Sequence, residues 1–193
     1  MEQKIKKKEG LDYLFGEICS ILKKNKIPYL VIGGLAAGVL GKPRFTEDAD
    51  FLIFIPRSKA KKLLKTLRGQ GFNFDRKEAE NTIIARGVFR VSLGAYHADF
   101  IINTIKIGKA ALKRAFDVKL FGKKVKFPSP EDLILFKLIA GRELDIMDAK
   151  NIYFRHRDKI DEQYLIKSAQ QICDEIEDMG VWKRLQKLLK EKL

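Results

Sequence analysis

Residues 48–55, DADFLIFI, constrain the fold of this chain more than any other stretch. Side chains alternate across a strand, so in extended conformation Asp48 and Asp50 share one face while Ala49 and Phe51 take the other. Two ionised carboxylates roughly 4 Å apart repel by about 4 kcal/mol at a surface-like dielectric. A strand that is otherwise core must end in solvent at this point or bring a cation to the pair. A hard divalent ion such as Mg2+ answers the second case, because it takes oxygen ligands and needs only a few protein carboxylates. D-x-D by itself leaves both readings open.

The preceding residues narrow the choice. YLVIGGLAAGVLGKPR reads as a short buried strand followed by a short helix that starts at Gly34 and is ended by GKPR. A helix N-terminus presents free N–H groups and a partial positive charge, which suits a phosphate. Gly33 and Gly34 would let an anion come close to the backbone. The spacing is not that of a P-loop, since Pro43 follows Lys42 where Ser or Thr should bind the metal. Nor is it G-x-G-x-x-G, so a dinucleotide site is not supported. An anion-binding helix start beside a carboxylate pair suits a nucleotide whose triphosphate is bridged by Mg2+. A third acid, Asp99, lies in the apolar stretch AYHADFII. If that strand neighbours DADFLIFI, Asp99 can share the metal and accept a proton from an attacking hydroxyl.

Around these motifs, Leu11, Leu14, Phe15, Ile18, Ile21 and Leu22 predict an amphipathic helix over 11–24. Ser58 is expected to cap a lysine-rich helix that Gly69 and Gly71 end. TIIARGVFRVSL, 82–93, reads as a strand or hairpin, and HADFIIN as a strand. A helix near 108–116 and a hairpin turning at Gly122 follow. From Ser129 the character is helical, with Ser129 as N-cap, Pro130 as the first helical residue and further helices over 143–156, 161–178 and 181–192. The fold class is α+β, a mixed β-sheet flanked by helices with a helical C-terminal part. The expected division is a core with its N-terminal helix over 1–128 and a helical region over 129–193 packed on it.

Hydrophobic residues make up 46% of the 193, enough for a real core. No apolar run approaches the ~18 residues of a membrane span, and MEQKIKKKEG lacks a secretory apolar region. Cys19 and Cys173 fit neither a disulfide framework nor a zinc site, and a reduced cytoplasm suits them. Lys and Arg number 39 against 25 Asp and Glu, a net charge of +14 that attracts polyanions, nucleic acid foremost. Lysines 59, 61, 62 and 65 form either a solvated helix face or a track for an RNA backbone, with no aromatic residue interleaved among them.

GG, thirteen intervening residues, D-x-D in an apolar strand and a later strand aspartate together resemble the minimal nucleotidyltransferases of the DNA polymerase beta superfamily. Residues 33–53 are especially similar to the AbiEii-like, type IV toxin branch, and the likeness extends to SPEDLILFKLIAGRELDIMDAKNI. The resemblance implies a mixed-sheet nucleotidyltransferase core that moves a nucleoside monophosphate from an NTP to an acceptor hydroxyl and releases pyrophosphate. Gly33 and Gly34 would hold the triphosphate. Asp48, Asp50 and Asp99 would bind Mg2+, or Mn2+ in its place, and Asp99 would activate the acceptor. Lys137 would contact phosphate, with Asp148 in preference to Asp145 orienting it or the nucleotide. Many relatives carry Ser where Gly34 offers only backbone.

Arg44 and Thr46, just before the acids, either touch phosphate or cap the strand end. His97 shares the face of Asp99. The acceptor best suited to the charge and the resemblance is RNA, with tRNA favoured, and a toxin would bring an antitoxin partner. Two other readings stand beside it: transfer to a small molecule such as an aminoglycoside, and a non-catalytic nucleic-acid-binding module that keeps the fold.

Overall fold

Ala49, Phe51 and Ile53 alternate with Asp48, Asp50 and Leu52, so one side of this strand must be covered and the other can meet charge. The computed structural model describes residues 10–191 and builds a four-stranded sheet around that strand. The strands are β1 (Tyr29–Ile32), β2 (Asp48–Ile53), β3 (Val88–Leu93) and β4 (Tyr96–Ile102), in the order β1-β2-β4-β3. β2 and β4 run parallel, while the β1–β2 and β3–β4 pairs are antiparallel, so the sheet is mixed as expected. β5 (Phe116–Leu120) and β6 (Lys123–Phe127) form a separate hairpin whose turn contains Gly122.

The chain divides into two compact units. The first holds the residues through Leu35, Phe45–Thr104 and Asp117–Phe127. Its core lies on the sheet face of Ala49, Phe51, Phe89, Val91, Ala98 and Phe100, all buried. Phe89 stacks on Phe100 at 4.6 Å, Phe100 on Phe51 at 5.5 Å, and Phe51 on Phe15 at 5.6 Å. Phe15 comes from helix α1 (Leu11–Lys24), whose Leu14, Ile18 and Leu22 are also fully enclosed. Each buried side chain of this size contributes about 1.5–3 kcal/mol. The aromatic column therefore makes this face the inner one and leaves the face of Asp48 and Asp50 for other work.

Two local expectations change. Helix α3 (Arg57–Gly69) starts one residue before Ser58, because Pro56 holds the extended N-cap conformation and Arg57 is already helical. Residues 82–86 are not strand but the end of a helix, numbered after the short helix α2 (Gly33–Leu40) and α3 as α4 (Arg76–Arg86). The Asp75 carboxylate caps it by accepting the Glu78 N–H at 2.7 Å, and Gly87, at φ 71°, ends it in the left-handed region. Cap and glycine outweigh the β-branched residues between them, so only 88–93 pairs.

The second unit holds Ala36–Arg44, Ile105–Phe116 and the residues from Pro128 onward. It comprises α5 (Lys106–Arg114), α6 (Pro130–Ala140), α7 (Glu143–His156), α8 (Glu162–Ile176) and α9 (Gly180–Lys190), with the tail of α2. Ser129 accepts the Asp132 N–H at 3.2 Å and Pro130 opens α6, as the sequence predicts. α6 packs against α7, α8 and α9 through a core that includes Leu133, Leu138, Ile152, Leu165 and Leu185. The residues joined to 128–193 in this unit include two stretches that the sequence reading assigned to the core. Cys19 and Cys173 are buried free thiols, and among the described residues no helix is long and apolar enough to cross a membrane.

Candidate active site

β1 ends at Ile32 and Gly33 turns the chain into α2 with φ +65°, a conformation that L side chains rarely adopt. α2 thus begins one residue earlier than its sequence suggests. A Cβ at Gly33 would stand only 1.8 Å from Asp50 Oδ2, so the Asp50 carboxylate presses directly on the backbone at the start of α2. Gly33→Ala combines left-handed strain of about 1–2 kcal/mol with overpacking of about 1–3 kcal/mol. The expected loss in urea unfolding is about 3 kcal/mol.

The strand register sets the remaining acids. Asp50 is the partner of Ile32 on β1 and of Asp99 on β4, and Asp99 is the partner of Arg90 on β3. Ile32, Asp50, Asp99 and Arg90 therefore form one row across the sheet, on the face opposite the aromatic column. Asp48, His97 and Ser92 form the next row on that face. Arg90 Nε donates to Asp99 Oδ1 at 2.7 Å and Nη2 donates to Oδ2 at 2.6 Å. The same Nη2 lies 3.8 Å from Asp48 Oδ2. These side chains are 54% exposed for Arg90, 40% for Asp48 and 30% for Asp99, so the cluster is open to solvent. The hydrogen bonds to Asp99 raise the guanidinium pKa against partial burial, and the charges of Asp99, Asp48 and Asp50 add to that.

Thr46 Oγ1 donates to the Asp48 carbonyl at 3.2 Å and meets the Asp48 N–H at 3.4 Å, which is the strand-capping role. Among the described residues, no three Asp, Glu, His or Cys side chains are grouped to hold a metal ion. Arg90 takes both oxygens of Asp99, and the Asp50 carboxylate lies against Gly33. The donor set still suits a hard cation. Three carboxylates share one sheet face, and a cationic group already stands between two of them.

The other sequence-assigned residues lie in the helical unit. Lys137, 4% exposed, places its Nζ 2.8 Å from both Asp145 Oδ1 and Asp148 Oδ2. Arg142 Nε donates to Asp145 Oδ2 at 2.5 Å, and Arg44 grips Asp148 with Nε and Nη2 at 3.1 Å each. The Lys137 ammonium is thus enclosed by two acids, and both Asp145 and Asp148 orient it. Arg44 binds Asp148 rather than capping the strand. Burial works to raise the Asp145 pKa, but the hydrogen bonds from Arg142 and Lys137 prevail and hold it below the ordinary carboxylate range.

Arg90 escaped the sequence reading, yet a signal for it exists. Leu93 pairs with Tyr96 across Gly94 and Ala95, a two-residue hairpin turn with glycine first. Counting outward from that turn sets Arg90 against Asp99. Reading 82–93 as a strand or hairpin by itself left out the turn at Gly94–Ala95 and so the pairing with HADFIIN.

Among solved structures, the antibiotic-resistance factor ANT(2'')-Ia is 13% identical, covers 86% of this chain and 94% of its own, and superposes with a TM-score of 0.56. That likeness is one of fold. The lincosamide antibiotic adenylyltransferase LnuA, bound to lincomycin, is 18% identical over 75% of this chain and 97% of its own, at a TM-score of 0.49. A tRNA nucleotidyltransferase complexed with a primer tRNA and an ATP analog is 14% identical over 88% and 59%, at 0.35. Neither of these two is close enough to bear on the acceptor. No curated protein matches. A family model described as a nucleotidyl transferase of unknown function matches residues 13–187. With that match over nearly the whole chain, on a mixed sheet of the nucleotidyltransferase kind, the protein belongs to the DUF2204 family of nucleotidyl transferases.

Proposed function

We propose that the protein moves a nucleoside monophosphate from an NTP to a hydroxyl of RNA, with tRNA as the first RNA to test. The observation that carries the reading is the row in which Asp50 and Asp99 are register partners, with Asp48 one step along the same face. In this reading Asp48, Asp50 and Asp99 hold a divalent ion, Mg2+ or Mn2+. Such an ion neutralises the triphosphate and polarises the phosphoryl group. Asp99 takes the proton of the attacking hydroxyl. The N–H groups at the Gly33–Gly34 helix start receive phosphate oxygens, the geometry of other anion-binding helix starts. Thr46 fixes the first residue of β2 and so the place of Asp48. Lys137, Asp148 and Arg44 act as positioning residues within the helical unit.

RNA as the acceptor is supported by a groove in the first unit. Lys61, Lys62, Lys65, Arg68 and Arg76 line a cavity of about 730 Å³ together with Phe74 and one acid, Glu80. Glu80 is already neutralised by Lys61 at 3.1 Å and Arg76 at 2.9 Å. The Arg68 guanidinium lies 4.3 Å from the centre of the Phe74 ring. Cations beside an aromatic face suit a single-stranded phosphate backbone. The resemblance of residues 33–53 to the AbiEii-like branch would point the same way.

The test uses each α-labelled NTP in turn with Mg2+ and either total RNA or an aminoglycoside. Label on RNA is expected, abolished by Asp48→Ala and by EDTA, and restored from EDTA by excess Mg2+ or Mn2+. Label on the aminoglycoside alone would overturn the acceptor, and no label on any acceptor would overturn the transfer. RNA retention should weaken steeply between roughly 50 and 200 mM salt, because each phosphate contact formed on binding releases condensed counterions and added salt opposes that release.

A further inference from the structure

Arg90 occupies the carboxylates that the proposed function gives to a metal. Building on that reading, we propose that Arg90 is a resident counter-ion which a divalent cation displaces, so that Arg90 sets the metal concentration at which the site fills. Three observations carry this. The guanidinium engages both oxygens of Asp99 and approaches Asp48, leaving no oxygen of Asp99 without a cationic partner. An ion and the guanidinium cannot share those two oxygens, since both are cations that need the same lone pairs.

Arg90 also stands on β3, an edge strand of the sheet, and its side chain is more than half exposed. A buried ion pair would be trapped by the cost of leaving either charge unpaired. Here the guanidinium can swing into water, where it stays solvated. Finally, the pair is strong enough to matter and weak enough to yield. Its two short, charge-assisted bonds exceed an ordinary surface ion pair, while solvent keeps it from being a permanent tie. In the absence of metal Arg90 offsets the mutual repulsion of Asp48, Asp50 and Asp99, which strand register holds on one face. When metal binds, the ion takes over that task.

The test is Mn2+ binding, read from the electron paramagnetic resonance of free Mn2+ and from titration calorimetry, on the intact protein and on Arg90→Gln and Arg90→Lys. Displacement predicts that Arg90→Gln binds Mn2+ roughly five- to tenfold tighter, because no bidentate bond must be broken first. Arg90→Lys keeps the charge but loses the fork, and it should also bind more tightly than the parent. Metal-free Arg90→Gln should melt at lower temperature than the parent and gain more from saturating Mn2+. Equal Mn2+ affinity in all three proteins overturns the role of Arg90 while leaving the acidic site standing. Tighter binding by Arg90→Gln with Arg90→Lys unchanged also overturns it, since long-range charge would then explain the gain. Absence of Mn2+ binding from all three proteins overturns this inference together with the metal reading on which it rests.

Discussion

Asp50→Asn should lower nucleotidyl transfer by roughly a thousandfold while leaving the protein folded. The change is nearly isosteric, so the side chain still fits against Gly33, but it removes one of the three negative charges on the face that would hold the metal. Asp50 is the residue to test first because it touches both halves of the proposed site. Its carboxylate lies on the turn that opens α2, and its register partner is Asp99. Labelled-NTP transfer measures the loss, and circular dichroism with urea unfolding checks the fold. An acid that merely ends a strand in solvent would give an Asp50→Asn enzyme with unchanged turnover. That outcome would remove the site.

Lys137→Ala should cost about 3–5 kcal/mol of stability, because it leaves Asp145 and Asp148 buried without their shared cation. Arg142 and Arg44 remain hydrogen-bonded to the two carboxylates and temper the loss, while the two acids themselves are 2% and 3% exposed. The cluster also makes stability depend on pH. The folded Asp145 has its pKa held below that of the unfolded chain by Arg142 and Lys137, against the effect of burial. Its contribution is therefore complete above the unfolded value, about 4, and is lost as pH falls through the lower folded value. Urea unfolding from pH 6 down to pH 2.5 should show this loss in the parent, and Asp145→Asn should flatten it. If Lys137→Ala raised the KM for NTP with stability unchanged, the ammonium would be a phosphate ligand rather than the centre of a buried cluster.

Much of the fold was legible because its signals are local. The i, i+4, i+8 spacing of Leu14, Ile18 and Leu22 marks α1, Ser129-Pro130 marks the start of α6, and alternation marks β2. The errors were also local. Ile83 and Ile84 look like strand residues, yet the Asp75 cap and Gly87 make their segment helical. In the acidic site, Asp48, Asp50 and Asp99 stood out because carboxylates are conspicuous in apolar strands. Arg90 did not, since an arginine on a strand is unremarkable until its partner is known. Phe74 was hidden in a similar way, being separated from the lysines of α3 along the chain and joined to Arg68 only in space.

The sequence by itself determined which face of β2 carries charge, because a period of two leaves no choice once Phe51 and Ala49 are core. It marked the glycine helix start after β1, one residue late, and the class of chemistry that three strand carboxylates suit. Only the tertiary structure decided what neutralises them. Strand register, a long-range pairing that no single segment encodes, set Asp99 beside Asp50 and brought Arg90 over both rows of acids. Helix packing likewise enclosed Lys137 between Asp145 and Asp148. Charges are visible in a sequence, but their partners are chosen by distance, and distance belongs to the fold.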